Sequence, residues 1–355
     1  MPKMTFPLLR SNIWVQARRI STKPLKVAFF GSDKFSVYSL DKLYQYQKEN
    51  KSIDINVIAR SIKPTGRNLK KYVDLPIGEY CSQNSIPIHR ADSSKDILEL
   101  DKAIDFNLAI AVSYGKLIPE QFLKSCDYGG LNVHPSLLPK YSGSSPIQYA
   151  LMNDDIFTGV TIQTLHPTKF DHGDIILQSP EIPIQENDDF CLLRDKLGAI
   201  GGDLLIAVLA KELYLHYPKK QTKYLYSLAP KISPQLSQID WYKHTPREIK
   251  RLADALGPLH TYKFVDIKKK KLNIKENQKV LMSDIQIEQA SVDLNNPGDF
   301  KLENGRLYIK ANGGCISVGS LKFQCCGEEN PTEFTRFLKK RSGDTPNTFI
   351  FSNSK

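Results

Sequence analysis

Between Lys26 and Val133, five short apolar runs alternate with helical patterns, and that alternation restricts this part of the chain to an α/β architecture. The runs are KVAFF at Lys26 to Phe30, the β-branched Ile53 to Ala59, Ile86 to Ile88, LAIAV at Leu108 to Val112, and Leu131 to Val133. Continuous apolar runs this short read as strands buried on both faces, as in a parallel sheet. Helical patterns at Lys34 to Tyr46, Ile77 to Gln83, Lys95 to Ala103 and Pro119 to Lys124 supply the crossovers, with Pro119 suited to a first helical turn. Arg60 to Val73 is polar and basic, holds Pro64 and Gly66, and reads as a loop. The expected fold is a doubly wound, mostly parallel sheet whose ligands sit beyond the carboxyl ends of the strands. Gly31, Tyr114, Asn132 and His134 share that rim. No GxGxxG follows the first strand, so a dinucleotide is not the expected ligand.

At 355 residues the chain is long for one core, and a second domain is expected. Ser145 to Met152 reads as helix, and Gly159 to Leu165 alternates like a half-buried strand. Ile175 to Ile184 can pair with it across the turn FDHGD. Asp188 to Tyr217 is largely helical, weakened at Gly201 and Gly202. Pro218 to Ser237, rich in Lys, Pro and Ser, reads as a linker, and a new domain starts near Ile239. It shows one helical pattern, Pro246 to Leu256, and strand-like runs at Thr261 to Ile267, Val280 to Leu281, Leu307 to Ile309 and Leu321 to Gln324. These suggest a small β-barrel with a helix. The division is 1–23 leader, 24–217 α/β domain, 218–238 linker and 239–355 second domain.

The leader stands apart. Met1 to Gly31 holds no Asp or Glu, and Phe6, Leu9, Ile13, Ala17 and Ile20 fall near one helical face. An Arg-rich, acid-free amphipathic start reads as a mitochondrial transit peptide, with a disordered basic arm as the alternative. Removing residues 1–23 takes away Lys3, Arg10, Arg18, Arg19 and Lys23 and lowers the formal charge from +11 to +6. The whole-chain pI near 9.1 favours a polyanionic partner, but much of that excess is then address. No apolar stretch of about 18 residues exists, so no membrane span is expected. Six cysteines, at 81, 126, 191, 315, 325 and 326, show no CxxC spacing; they read as buried, reduced thiols, not as a metal or redox set.

The chemistry concentrates in LNVHPSLLP, Leu131 to Pro139, and FDHGD, Phe170 to Asp174. Asn132 offers an amide donor to an oxygen that becomes negative, or caps a turn. His134, two residues on, points to the same side of a continuing strand. It relays a proton or donates to the same oxygen, and Pro135 biases its backbone towards the extended region. Asp171 can hold an imidazole in place, or form an Asx turn; Asp174 is its local rival. His166 and His172 lack HxxxH-type spacing, so no metal is expected. Ser136 lacks a GxSxG elbow and reads as a loop hydroxyl. Arg60, Lys63, Arg67, Lys70 and Lys71 form a basic loop, either phosphate-binding or simply solvated. An amide, an imidazole and a carboxylate without a nucleophile suit acyl transfer that forms no covalent enzyme intermediate.

Taken together, these segments resemble the methionyl-tRNA formyltransferases of mitochondrial type, from about Lys26 to Phe264. VAFFGSDKFS, AVSYGKLIP, NVHPSLLP followed by GSSPIQ, TGVTIQ and FDHGDIIL carry the likeness. NVHPSLLP alone is shared with other 10-formyltetrahydrofolate enzymes. KPTGRNLKK at Lys63 to Lys71 resembles a basic insertion facing the tRNA acceptor stem, and LAPKISPQLSQIDW at Leu228 to Trp241 a linker into an OB-like carboxy-terminal domain. The resemblance implies Asn132, His134 and Asp171 as catalytic residues. It implies Ser136, Leu137, Leu138, Pro139, Tyr114 and Gly115 as contacts of the co-substrate 10-formyltetrahydrofolate, and Arg67, Lys70 and Lys71 as tRNA contacts. It further implies methionyl-initiator tRNA as partner, a monomer, no membrane, and the mitochondrial matrix. A small-molecule formyltransferase, a formyltetrahydrofolate hydrolase and a non-catalytic RNA-binding protein are the alternatives. The sequence departs from many bacterial relatives at KYSG after SLLP and at Ser32-Asp33 after the first strand. Lys268 to Lys271 is a charge run, a solvated hairpin tip or an RNA contact.

Overall fold

The computed structural model describes residues 24–65, 71–217, 222–269, 272–289 and 293–351; the leader 1–23 and the loop residues Arg67 and Lys70 lie outside them. The apolar runs become strands β1 (Leu25–Gly31), β2 (Ile53–Ala59), β5 (Ile88–Arg90), β6 (Leu108–Val112) and β7 (Gly130–His134). The crossovers are α1 (Lys34–Glu49), α2 (Pro76–Asn84), α3 (Ser94–Ile104) and α4 (Glu120–Ser125). In the basic loop, β3 (Pro64–Thr65) and β4 (Lys71–Tyr72) make a minimal antiparallel ribbon. Next come α5 (Pro146–Met152), β8 (Phe157–Thr158), β9 (Thr161–Thr164), β10 (Ile175–Gln178), β11 (Ile182–Pro183) and α6 (Phe190–Ala210).

Seven strands form one sheet in the order β10-β9-β7-β6-β1-β2-β5, parallel except where β9 meets β7 and β10. Side chains alternate between its faces. Val27, Phe29, Leu108 and Ile110 pack in one cluster, and Ala28, Phe30, Ala109 and Ala111 in the other. Strand order reverses between β1 and β6, which opens the crevice where such sheets bind ligands.

Several expectations shift for physical reasons. The third strand starts at Ile88 and not at Ile86, because Pro87 has no N–H for the ladder and Ile86 N–H closes α2 on Cys81 O. Pro119 caps α4 from outside, and the helix starts at Glu120. The strand expected to be half-buried is buried on both faces: Ile162 joins the core, while Thr161 and Gln163 turn into a polar network. Gly201 and Gly202 do not break α6, which runs unbroken along α1. Cysteines 81, 126 and 315 are buried, but Cys191 and Cys325 are exposed and Cys326 is half-buried, against the expectation of uniform burial.

The second unit starts with Trp241 fully buried and donating its indole N–H to Thr261 Oγ1 at 2.9 Å. Helix α7 (Pro246–Leu256) matches its sequence pattern, with Pro246 in its first turn and a capping box between Thr245 and Glu248. Strands β12 (Leu259–Lys269), β13 (Leu272–Glu288), β14 (Phe300–Glu303), β15 (Arg306–Ala311) and β16 (Gly314–Phe323) follow, then helix α8 (Pro331–Ser342) and β17 (Phe349–Ile350). They curl into an antiparallel sheet in the order β14-β15-β16-β13-β12-β17. A bridge between Asp299 and Thr348 brings its two edges together, and Phe349 N–H bonds Gly298 O at 2.8 Å. The basic run Lys268 to Lys271 falls at the β12–β13 hairpin tip, with Lys270 and Lys271 outside the described residues. No described helix is long and apolar enough to cross a membrane.

Candidate active site

Strand β7 ends at His134, so Asn132 and His134 emerge on one side of its carboxyl end. Opposite them, β9 places Gln163 directly across from Asn132 in antiparallel register. The turn from β9 to β10 then carries Asp171 in the left-handed region at φ 54°, a conformation Asp tolerates better than most residues. It is pinned by Thr164 N–H to Asp174 O at 2.9 Å and Asp174 N–H to Thr164 Oγ1 at 2.9 Å. The rival Asp174 is thereby used in the turn, and its carboxylate accepts from Tyr217 OH at 3.4 Å.

These elements converge on the Asp171 carboxylate. Oδ1 accepts from Gln163 Nε2 at 3.0 Å and Asn132 Nδ2 at 3.3 Å, and lies 3.4 Å from His134 Nδ1. Oδ2 accepts from the Gly143 N–H at 2.7 Å. The side chains of His134 and Asp171 are only 6% and 7% exposed, so the pair sits where charge interactions are weakly screened. His134 Nε2 lies 2.9 Å from the carbonyl of Tyr141. A carbonyl only accepts, so Nε2 carries hydrogen, and the edge facing Asp171 is Nδ1.

A cavity of 550 Å³ opens beside this cluster. The loop after β6 (Ser113, Tyr114, Gly115, Leu117, Ile118) walls one side, and Asn132, Gln163 and Asp171 line another. Tyr114 is buried, with its hydroxyl donated to Ala91 O at 3.1 Å and burial pushing its pKa up to about 12, so it is a neutral wall. Asp33, at the cap of α1 across the crevice, has its carboxyl pushed up by burial, partly offset by bonds from Ser36 N–H and Ser113. Lys116, His166, Lys169 and the half-exposed Phe170 rim the opening. An apolar wall with a few fixed polar groups is the common form of a small-molecule site.

Among the sequence-derived contacts, Asn132, His134, Asp171, Tyr114 and Gly115 come together at this cavity. Ser136, Leu137, Leu138 and Pro139 do not line it. Ser136 Oγ is turned onto Lys140 O at 2.6 Å, Leu137 and Leu138 are buried, and Leu138 N–H bonds Thr161 Oγ1 at 3.1 Å. This segment therefore braces the site from behind. Lys71 sits on β4 with its side chain exposed, while Arg67 and Lys70 fall outside the described residues. Sequence reasoning missed Gln163, the Gly143 N–H and the Tyr141 carbonyl. Gly143 left a signal as the G of KYSG and Gln163 as the Q of TGVTIQ, but neither showed its partner, and the Tyr141 carbonyl, a backbone group, left none.

A formyl transferase family model matches residues 25–209, and one for the formyl transferase carboxy-terminal domain matches residues 231–338. The chain is similar to the mitochondrial methionyl-tRNA formyltransferase of Saccharomyces cerevisiae, at 33% identity over 93% of each chain. It is also similar to the methionyl-tRNA formyltransferase of Ehrlichia chaffeensis, at 34% identity over 80% of this chain and 90% of that one. Among solved structures, HypX from Aquifex aeolicus in complex with tetrahydrofolic acid aligns with a TM-score of 0.58 at 15% identity. That alignment covers 93% of this chain and 51% of HypX, a likeness of fold.

Proposed function

The chain belongs to the formyl transferase family, among the methionyl-tRNA formyltransferases, and on that premise we propose how its residues carry the reaction. It transfers a formyl group from 10-formyltetrahydrofolate to the α-amine of methionyl-tRNA. The observation that carries the site assignment is the meeting of Asn132, His134 and Asp171 at one carboxylate beside the 550 Å³ cavity.

An α-amine has a pKa of about 7.7–8.0, so a useful fraction is neutral near pH 7.5 and attacks the formyl carbon without a strong base. Asn132 has two amide hydrogens; one serves Asp171 and the other is offered to the oxygen that becomes negative. The sequence reading gave His134 a share of that donation. With Nε2 held by the Tyr141 carbonyl, we assign His134 and Asp171 instead to receiving the amine proton, directly or through water. Tyr114, Leu117 and Ile118 supply the apolar wall suited to a flat pterin, and Ser136 to Pro139 brace β9 behind the site through Thr161. The attack is direct and forms no covalent enzyme intermediate, so a formyl-enzyme trapped at Ser136 or a cysteine would overturn this mechanism.

Residues 24–217 then supply chemistry, 218–238 connect, and 239–355 with Arg67, Lys70 and Lys71 supply tRNA affinity. Residues 1–23 direct the chain to the mitochondrion, where it acts in the matrix as a monomer on initiator tRNA. The test is formylation of charged initiator tRNA with Asn132→Ala. A loss of about 10²–10³ in rate with unchanged tRNA affinity is expected. Formate release without tRNA at the same rate would favour a hydrolase. Arg67→Ala should weaken tRNA binding and flatten its salt dependence while folate affinity stays level; an equal loss of folate affinity would place that loop at the cavity instead.

A further inference from the structure

The linker is woven onto the loop that holds the two catalytic groups. Residues 139–145 present the Tyr141 carbonyl to His134 and the Gly143 N–H to Asp171. Tyr141 sits in the left-handed region, at φ 60°, a conformation a bulky residue does not hold unaided. Linker residues 227–229 grip this loop from behind. Tyr141 N–H donates to Ser227 Oγ at 2.9 Å, and Ser142 N–H to Ser227 O at 2.9 Å. Ala229 N–H donates to Ser142 O at 2.8 Å, and Ser145 N–H to Ala229 O at 3.1 Å. Gly143 lies so close that a Cβ there would come within 2.5 Å of Ala229 O. Ala229 is fully buried against Tyr141, while Leu225, Tyr226 and Leu228 beside it stay exposed. The same linker enters the second domain through 234–237 and the bridge from Gln238 to His260.

We propose that Ser227 is a positioning residue of the active site: by fixing Tyr141, it selects the hydrogen-bearing nitrogen of His134, and so ties the seating of the carboxy-terminal domain to catalysis. Ser227 touches no reacting atom. It acts through the two peptide units of Tyr141: its hydroxyl accepts the Tyr141 N–H, its carbonyl accepts the Ser142 N–H of the unit that carries the Tyr141 carbonyl, and that carbonyl orients the imidazole. The role rests on the catalytic assignment of His134, and its test is chosen to stand apart from that assignment.

In the full chain, ring ¹⁵N shifts of His134 report which nitrogen carries hydrogen, with no need for turnover. Hydrogen on Nε2 is expected in the wild type, and a mixed signal in Ser227→Ala. Formylation of methionyl-tRNA should fall about three- to tenfold in kcat, the worth of one hydrogen bond, with KM for both substrates level. Ser227→Thr, which keeps the hydroxyl, should restore both readouts. A folded Ser227→Ala protein with an unchanged ¹⁵N signature overturns the proposal, even if it melts lower. A changed signature with full kcat would instead remove His134 from the chemistry and leave the clamp in place.

Discussion

At Asp171, three hydrogen bonds meet two oxygens and His134 Nδ1 lies alongside, so the carboxylate accepts from every N–H that reaches it. Asp171→Asn keeps the shape but turns one oxygen into a donor, facing either Gly143 N–H or the amides of Asn132 and Gln163. Donor would then face donor in a buried place, and the imidazole would lose its anionic neighbour. A fall of about 10³-fold or more in kcat is expected, at near-wild-type melting temperature, by analogy with such exchanges in other carboxylate–imidazole pairs. Activity within tenfold of wild type would show that Asp171 is only a turn residue. In the second domain, Lys263 is 1% exposed and donates to Thr345 Oγ1 at 2.7 Å and to Phe264 O at 3.2 Å. Burial lowers its pKa from 10.5 to about 8. Below pH 8 the lysine is charged in both states, and the cost of burying it is present in full. Between pH 8 and 10.5 the folded state gives up the proton first, so stability rises with pH by at most about 3 kcal/mol. Melting curves at pH 7.5 and 9.5 should show this rise, and Lys263→Met should flatten it; a rise that survives the substitution belongs to another group.

Helices α1 and α6 touch at a glycine, and the sign of a substitution there is set by two opposed effects. A Cβ on Gly198 would lie 2.5 Å from Tyr38 Cδ2 and 2.9 Å from Tyr38 Cγ, at the base of the ring and not at its free end. Gly198→Ala gains about 1 kcal/mol of helix propensity but overpacks by about 1–3 kcal/mol. A net loss near 1 kcal/mol, seen as a lower urea midpoint, is expected; a higher midpoint would mean the helices separate freely. Gly201 and Gly202 of the same helix were legible as weak points but not as contacts, because sequence shows propensity and not neighbours. Elements were legible where pattern and punctuation agreed. Pro246 opens the helical pattern that becomes α7, and the parallel strands are unbroken apolar runs. β13 was read only at Val280 to Leu281, because its 17 residues mix Lys, Glu, Asn and Gln on a long, mostly solvated hairpin. α8 was missed because few large apolar residues, chiefly Phe334 and Leu338, face inward. Asn132 and His134 were legible as neighbours on one strand end. Gln163 was not, since its place beside Asp171 depends on the pairing of β7 with β9.

The two halves are fastened by charge as well as by the linker, and the fastening is off-centre. Arg247 on α7 forks onto Asp154 of the α/β domain at 2.8 and 2.9 Å and also meets Glu186, holding both carboxyls below their usual range. Arg251, one turn on, is only 2% exposed. It donates to the carbonyls of Asp188 and Glu186 and lies 3.4 Å from both Asp154 and Asp254. An interface between domains of one chain is ordinarily loose. A buried guanidinium shared by four groups makes this one directional, and removing it leaves the carbonyls of Asp188 and Glu186 without their donor and Asp254 with Lys250 as its remaining cation. Arg251→Ala should therefore cost about 3–5 kcal/mol at the junction. It should also split thermal unfolding into two calorimetric transitions, one for each hydrophobic cluster. The linker grip on residues 139–145 would then carry the second domain alone, and kcat should fall while the isolated stability of the α/β core is unchanged. Lowered carboxyl pKa values at Asp154 and Glu186 give the junction a pH signature: its stabilisation is present above about pH 4.5 and is lost as pH falls through their depressed range. If Arg251→Ala melts in a single transition at the wild-type temperature, the linker is the fastening that matters and the charge cluster is incidental to it.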